Sequence, residues 1–128
     1  MAINILVVDD SAVMRSMIKK TILNSGVEVE QIYEAGNGQE GLDVLAKEWL
    51  DILFIDVNMP VMDGMEMLER VRTNPEYVDL PILIVSTESN PERIQIIQKM
   101  NAGFVHKPFT PEVLRERILE ALGVLESQ

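Results

Sequence analysis

Short apolar runs in this chain repeatedly end on residues that can do chemistry. Ile3–Val8 runs into Asp9 and Asp10, Asp51–Asp56 ends on Asp56, Pro81–Val85 meets Ser86, and Ala102–His106 reaches Lys107. Three carboxylates brought together repel one another and raise one another's pKa unless a cation neutralises them. An all-oxygen donor set suits Mg2+ or a similar hard cation, whereas zinc favours imidazole and thiolate ligands, which this set lacks. Lys107 adds a movable positive charge and Ser86 a hydroxyl. Carboxylates, a hard cation, an ammonium and a hydroxyl together suit a phosphoryl group, whose transfer depends on positioning and charge neutralisation.

Taken singly, each residue has a plainer reading. Asp-Asp after a strand commonly caps a helix and supplies its first-turn acid, and a strand-end aspartate is usually a turn residue. The conjunction is what needs explaining, so the elements between these residues matter. Ile3–Val8 and Asp51–Asp56 read as strands buried on both faces, and Val29–Ala35, Pro81–Val85 and Ala102–His106 complete a set of five. After Ser11 the spacing predicts a helix with apolar positions Met14, Met17, Ile18 and Ile22, ended by Gly26. A second helix follows the Gly36-Asn37-Gly38 turn through Leu42, Leu45 and Ala46, and a third runs from about Met65 to Arg72, closed by Asn74-Pro75. Asn90-Pro91-Glu92 and Thr110-Pro111-Glu112 are cap-proline-acid helix starts. The fourth helix carries Ile94, Ile97 and Met100 or Asn101; the fifth carries Leu114, Ile118, Ala121, Leu122 and Leu125 on one face. Five strand–helix units in succession predict a parallel sheet with helices on both sides. Ligands bind such sheets beyond the carboxyl ends of the strands, where Asp9, Asp10, Asp56, Ser86 and Lys107 all fall.

Composition narrows the setting. The 128 residues, 47% apolar, are expected to form a single domain that ends with its last helix and needs no disulfide or zinc staple. The absence of cysteine excludes thiol catalysis and fits a reducing cytosol. A net charge of −10 argues against nucleic acid or anionic membrane as a partner. There is no basic signal-peptide start and no apolar stretch of the ~20 residues needed to span a bilayer. The acidity is uneven: residues 1–90 hold 16 acids and 6 bases, and residues 91–128 hold 5 of each. All of the net charge therefore lies in the part that carries the aspartates. The eight methionines read mostly as core filler, with a pliable binding surface as the other possibility.

Four stretches carry a resemblance that covers nearly the whole chain. They are Val8-Asp9-Asp10-Ser11 with Met14-Arg15, Asp56-Val57-Asn58-Met59-Pro60-Val61-Met62-Asp63-Gly64, Val85-Ser86, and Lys107-Pro108-Phe109-Thr110. Together they resemble the receiver domains of two-component response regulators, and within that family the single-domain chemotaxis regulators. The resemblance implies a doubly wound, flavodoxin-like (βα)5 fold with strand order 2-1-3-4-5 and a cis peptide before Pro108. It implies that Asp56 is the phosphoacceptor and that Asp10, Asp56 and the backbone carbonyl of Asn58 ligate Mg2+, with Asp9 acting largely through a water. Lys107 would pair with the phosphoryl oxygens and the Ser86 hydroxyl would hydrogen-bond to one of them. Glu88 and Asn58, each two residues beyond Ser86 and Asp56, would tune access of the hydrolytic water. The implied donor is a sensor histidine kinase or phosphotransfer protein. The implied output is a face of the fourth helix, fifth strand and fifth helix, read by a protein such as the flagellar motor switch. On this reading the chain is a monomeric, cytoplasmic phosphoacceptor rather than a turnover enzyme.

Several positions depart from the chemotaxis pattern. Phe104 stands where those members usually carry the switch tyrosine, so a rotating ring is present without its hydroxyl. Thr87 is bulkier than the usual small residue and is expected to slow small phosphodonors or hydrolysis. His106 reads as an ordinary strand residue facing away from Lys107. The first helix carries Arg15, Lys19 and Lys20 and no acid, either a kinase-docking face or a solvated one. Two other functions compete: a receiver that signals to a non-flagellar partner or serves as a phosphate sink, and a Mg2+-dependent phosphohydrolase with Asp56 as nucleophile. The second fits less well, because such enzymes commonly place another acid two residues after the nucleophile, where this chain has Asn58.

Overall fold

The computed structural model describes residues 2–124, so Leu125 of the predicted apolar face lies outside the described residues. Five strands form one parallel sheet in the order β2-β1-β3-β4-β5: β1 (Ile3–Val8), β2 (Val29–Ala35), β3 (Ile52–Asp56), β4 (Ile82–Ser86) and β5 (Gly103–His106). Helices α1 (Ala12–Asn24), α2 (Gly38–Lys47), α3 (Gly64–Thr73), α4 (Pro91–Lys99) and α5 (Pro111–Ala121) connect them. No helix among the described residues is long and apolar enough to cross a membrane.

Strand alternation divides the core into two layers. Ile5, Val7, Phe54, Leu83, Val85 and Val105 face α1 and α5, where Ile18, Ile22, Leu114 and Ile118 meet them. Leu6, Val8, Leu53, Ile55, Ile82 and Ile84 face the other way, onto Leu45, Leu68, Val71 and Ile97 of α2, α3 and α4. Burying each such side chain stabilises the fold by about 1.5–3 kcal/mol. This two-sided burial explains why β1, β3 and β4 are nearly continuous apolar runs.

The register sets the functional edge. Val8 pairs with Ala35 on one side and Ile55 on the other, Asp56 with Val85, and Ser86 with His106, so the strand ends finish at nearly one level. Each helix then starts on a side-chain cap: Ser11, Asn37, Asp63, Asn90 and Thr110 each accept a backbone N–H of the first turn. Such caps satisfy orphan donors and stiffen the loops at that edge. Gly64, the first residue of α3, is sterically required. A Cβ there would lie 2.1 Å from the Asp56 carbonyl oxygen, and the Gly64 N–H donates to the Val57 carbonyl at 2.9 Å.

Some boundaries differ from the sequence reading. Asp51 stands just outside β3, where its N–H donates to the Asn4 carbonyl and its carboxylate accepts the Asn4 N–H, both at 2.8 Å, so a side-chain oxygen takes the place of a backbone acceptor. Pro81 and Ala102 precede β4 and β5, while Ser86 belongs to β4. After α3, Asn74 caps a short 3-10 turn, Pro75–Tyr77. Met17 is 55% exposed, so α1 buries a narrower stripe than its spacing suggests, with Ile18 and Ile22 as its fully buried contacts. The methionines otherwise behave as filler: Met62 and Met67 are buried, and Met14, Met59, Met65 and Met100 pack against the two layers.

Arg72 ties the carboxyl ends of two helices together. From α3 its Nε donates to the Met100 carbonyl at 2.8 Å, Nη2 to the Asn101 carbonyl at 2.7 Å and Nη1 to the Tyr77 carbonyl at 2.7 Å. A cation on the last carbonyls of α4 both satisfies them and opposes the helix dipole.

Candidate functional site

The Asp9 N–H extends the β1 ladder by one bond, to the Ala35 carbonyl at 3.0 Å, which fixes the side chain at the centre of the edge. Asp9 is 2% exposed. Its Oδ1 accepts the Ser11 N–H at 2.9 Å, whereas Oδ2 is buried without a hydrogen-bond partner. Asp10 beside it is exposed, and Asp56 at the end of β3 is half-buried. One carboxylate oxygen from each of Asp9, Asp10 and Asp56 lies within 4.8 Å of the others. Lys107 reaches in from the end of β5, its Nζ 3.3 Å from Asp56 Oδ1 and 3.8 Å from Asp9 Oδ2. Its backbone N–H donates to the Ser86 carbonyl at 2.8 Å, and the Lys107–Pro108 peptide is cis, as the family resemblance implies.

Three carboxylates share this space with one ammonium, and the electrostatics record the deficit. Burial pushes Asp9 above the usual carboxylate range, opposed by the Ser11 N–H and Lys107 and reinforced by Asp10. Asp56 is raised as well, again chiefly by burial, with Lys107 pulling it down and Asp9 pushing it up. A divalent cation would remove the repulsion and supplement Lys107, which faces Asp9 Oδ2 at 3.8 Å without hydrogen-bonding to it. The donors are all oxygen, so the residues present fit Mg2+.

The remaining predicted residues lie on β4, β5 or the loops that follow β3 and β4. Ser86 is buried at 4% exposure, and its Oγ accepts the Glu88 N–H at 3.0 Å. Glu88 lies in the loop before α4 and is tied to its start: Oε2 accepts the N–H of the cap residue Asn90 at 3.2 Å, and Oε1 lies 3.6 Å from Arg93. Asn58 and Thr87 are exposed in the loops after β3 and β4. Phe104 is half-buried against the layer under α2, α3 and α4. His106 is exposed, its ring 6.1 Å from that of Phe104, as alternation along β5 requires.

Arg15 and Lys19 are not an open basic face. Glu34 of β2 accepts Arg15 Nε at 3.0 Å with one oxygen and Lys19 Nζ at 3.0 Å with the other. Arg15 also donates to the Asp9 carbonyl oxygen. Lys19 foremost, then Arg15, holds the Glu34 carboxyl below its usual range. Sequence reasoning missed Glu34 because it lies on another element, 15 residues from Lys19. The alternation of β2, which turns Glu34 and Ile32 to one face, was the only available signal.

Comparison with known proteins gives a consistent picture. A profile described as the response regulator receiver domain matches residues 5–119. The chain is 41% identical over 123 residues to a chemotaxis protein CheY homolog of Campylobacter jejuni, covering 93% of this chain and 92% of that protein. It is 37% identical to chemotaxis protein CheY1 of Helicobacter pylori, covering 93% and 96%. The solved structure of the chemotaxis response regulator CheY4 of Vibrio cholerae superposes with a TM-score of 0.81 at 38% identity, covering 95% of this chain and 100% of that one.

Proposed function

The chain belongs to the response regulator receiver family, and from that membership we propose that it is a chemotaxis-type signalling switch phosphorylated on Asp56 by a histidine kinase or phosphotransfer protein. One observation carries the proposal: three carboxylates with an orphaned buried oxygen converge on a lysine at the carboxyl edge of the sheet. Asp10, Asp56 and the Asn58 carbonyl would hold Mg2+, with Asp9 behind them; bound there, the ion neutralises the carboxylates and the phosphoryl oxygens.

In the transfer, an Asp56 carboxylate oxygen attacks the phosphorus of a phosphohistidine. The phosphorus–nitrogen bond breaks, and an acyl phosphate remains on Asp56. Lys107, already 3.3 Å from Asp56, supplies a counter-charge to the new oxygens. The Ser86 hydroxyl accepts from the Glu88 N–H yet keeps its own hydrogen to donate, so it can bond a phosphoryl oxygen without releasing Glu88. Because Glu88 also holds the Asn90 N–H and faces Arg93, any pull on Ser86 reaches the start of α4. The face of α4, β5 and α5, with Phe104, then shifts between two populations that a motor-switch protein can distinguish. Asn58 and Glu88 flank the approach to Asp56 and set how readily water removes the phosphoryl group.

Incubation with acetyl phosphate and Mg2+, read by intact mass, tests the assignment. One phosphoryl group should be added, and Asp56→Asn or chelation of Mg2+ should abolish it. A variant that still labels, or sustained turnover of a phosphomonoester by the unmutated chain, would overturn it.

A further inference from the structure

Beneath the amino ends of β3 and β4, at the opposite edge of the sheet from the aspartates, lies a groove of about 750 Å³. Leu50, Tyr77, Leu80 and Pro81 line it, and Trp49 and Val78 stand at its lip. Trp49, the single tryptophan of the chain, is 79% exposed, and Val78 is 46% exposed. Isolated exposed apolar residues are ordinary, but two beside an apolar groove form a patch of the kind that binds partners. Trp is also the residue type most enriched at interface centres.

The same groove is rimmed by Glu48, Asp51, Glu76 and Asp79, with Lys47 as its one cation. Among the described residues none of these four acids lies within ion-pair distance of a cation. Two are fixed without being neutralised: Glu48 accepts the Tyr33 hydroxyl at 2.8 Å, and Asp51 accepts the Asn4 N–H. Apolar anchors inside an acidic rim complement a segment that is itself apolar and basic.

We propose that this groove docks a basic, amphipathic peptide segment of a partner protein, with aliphatic side chains in the groove beside Trp49 and Lys or Arg on its acidic rim. A second copy of this chain fits poorly, since each copy carries −10 and Glu34 offsets the cations of α1. The groove lies about 16 Å from Asp56, the length of β3. Occupancy of one site therefore does not sterically block the other.

Trp49 reports on its own site. The probe is a short amphipathic helical peptide of leucine and lysine, fluorescently labelled and titrated into the full chain. We expect saturable one-to-one binding, a blue shift of Trp49 emission read with the unlabelled peptide, weaker binding at higher salt, and the same affinity for Asp56→Asn. Trp49→Ala with Val78→Ser should weaken binding at least about tenfold, and Glu76→Gln with Asp79→Asn at least about threefold, by anisotropy. All four sites are at the surface or groove rim, and circular dichroism verifies folding. The proposal falls if the Trp49/Val78 variant binds as tightly as the unmutated chain, or if Trp49 emission does not move at saturation. It also falls if a serine-for-leucine peptide binds equally well, which is charge attraction alone. Self-association lost on Trp49→Ala would replace it with a groove that takes a second copy.

Discussion

Replacing Asp9 with asparagine should stabilise the protein when no divalent cation is present. Two unit charges within 4.8 Å of each other repel by at least about 3.5 kcal/mol at an effective dielectric near 20. Asp9 has two such neighbours, Asp10 and Asp56, giving about 7 kcal/mol, against which Lys107 at 3.8 Å contributes about 4.4 kcal/mol of attraction. Arg15, whose guanidinium donates to the Asp9 carbonyl, adds further attraction, so burial of the carboxylate is the dominant cost and the surrounding charges offset one another in large part. Water around the exposed Asp10 screens part of its repulsion, and with the burial cost relieved Asp9→Asn should gain about 1–3 kcal/mol, or about 4–12 °C in Tm. The variant keeps the Oδ1 that accepts the Ser11 N–H, so the loop survives. The pH dependence has a definite sign. Asp9 is raised in the folded protein, so its contribution is favourable below the unfolded carboxylate value near pH 4 and is lost as pH rises through the folded value. The advantage of Asp9→Asn should therefore be full at pH 7 in EDTA and shrink towards pH 4. Added Mg2+ should stabilise the unmutated chain more than the variant. Thermal and urea unfolding across pH, with and without Mg2+, read all of this. A variant less stable at pH 7 in EDTA, or an advantage that grows on acidification, would refute the electrostatic account.

Other perturbations follow from contacts already described. Gly64→Ala forces a Cβ against the Asp56 carbonyl and should cost about 2–4 kcal/mol in urea unfolding while weakening Mg2+ binding. Arg72→Met takes the guanidinium from the Met100 and Asn101 carbonyls and leaves Tyr77 only the Leu80 N–H, and should cost about 2–4 kcal/mol, with amide exchange accelerating around Met100–Ala102. For kinase docking on α1, Lys19→Glu is the cleaner variant, because Arg15 also holds the Asp9 carbonyl. It should slow phosphotransfer from a kinase yet spare acetyl phosphate, and Glu34→Gln, which frees Lys19 and leaves Arg15 only its Asp9 carbonyl, should speed the kinase reaction; equal slowing with acetyl phosphate rules out docking there.

What could be read from the sequence was whatever local periodicity and chain order determine. Five apolar runs with capped helices between them were enough for the sheet, its parallel sense and the edge where Asp9, Asp10, Asp56, Ser86 and Lys107 meet, because topology alone sends strand ends to one side. The strand order and the cis Lys107–Pro108 peptide came from resemblance to a family, since no pattern of apolar residues specifies either. The contacts that escaped are made across elements. Glu34 reaches α1 only because α1 packs over the sheet beside β2, and the Met17 position is exposed because that crossing narrows the buried stripe. The Arg72 carbonyls lie 5, 28 and 29 residues away. The Ser86–Glu88 bond is local, yet a serine-containing tripeptide at a strand end carries no sign that its hydroxyl is engaged.

The Arg72 anchorage gives α4 the mechanics of a beam pinned at one end. Sliding the helix along its axis would pull Met100 and Asn101 off the guanidinium, whereas swinging it about that point breaks neither bond. Its nine residues span about 13 Å, so a swing of roughly 10° carries the opposite end by about 2 Å. That opposite end is Asn90 and Pro91, joined through Glu88 to Ser86. A displacement entering at Ser86 therefore leaves as a change of angle, largest at Asn90 and Pro91 and vanishing towards Lys99.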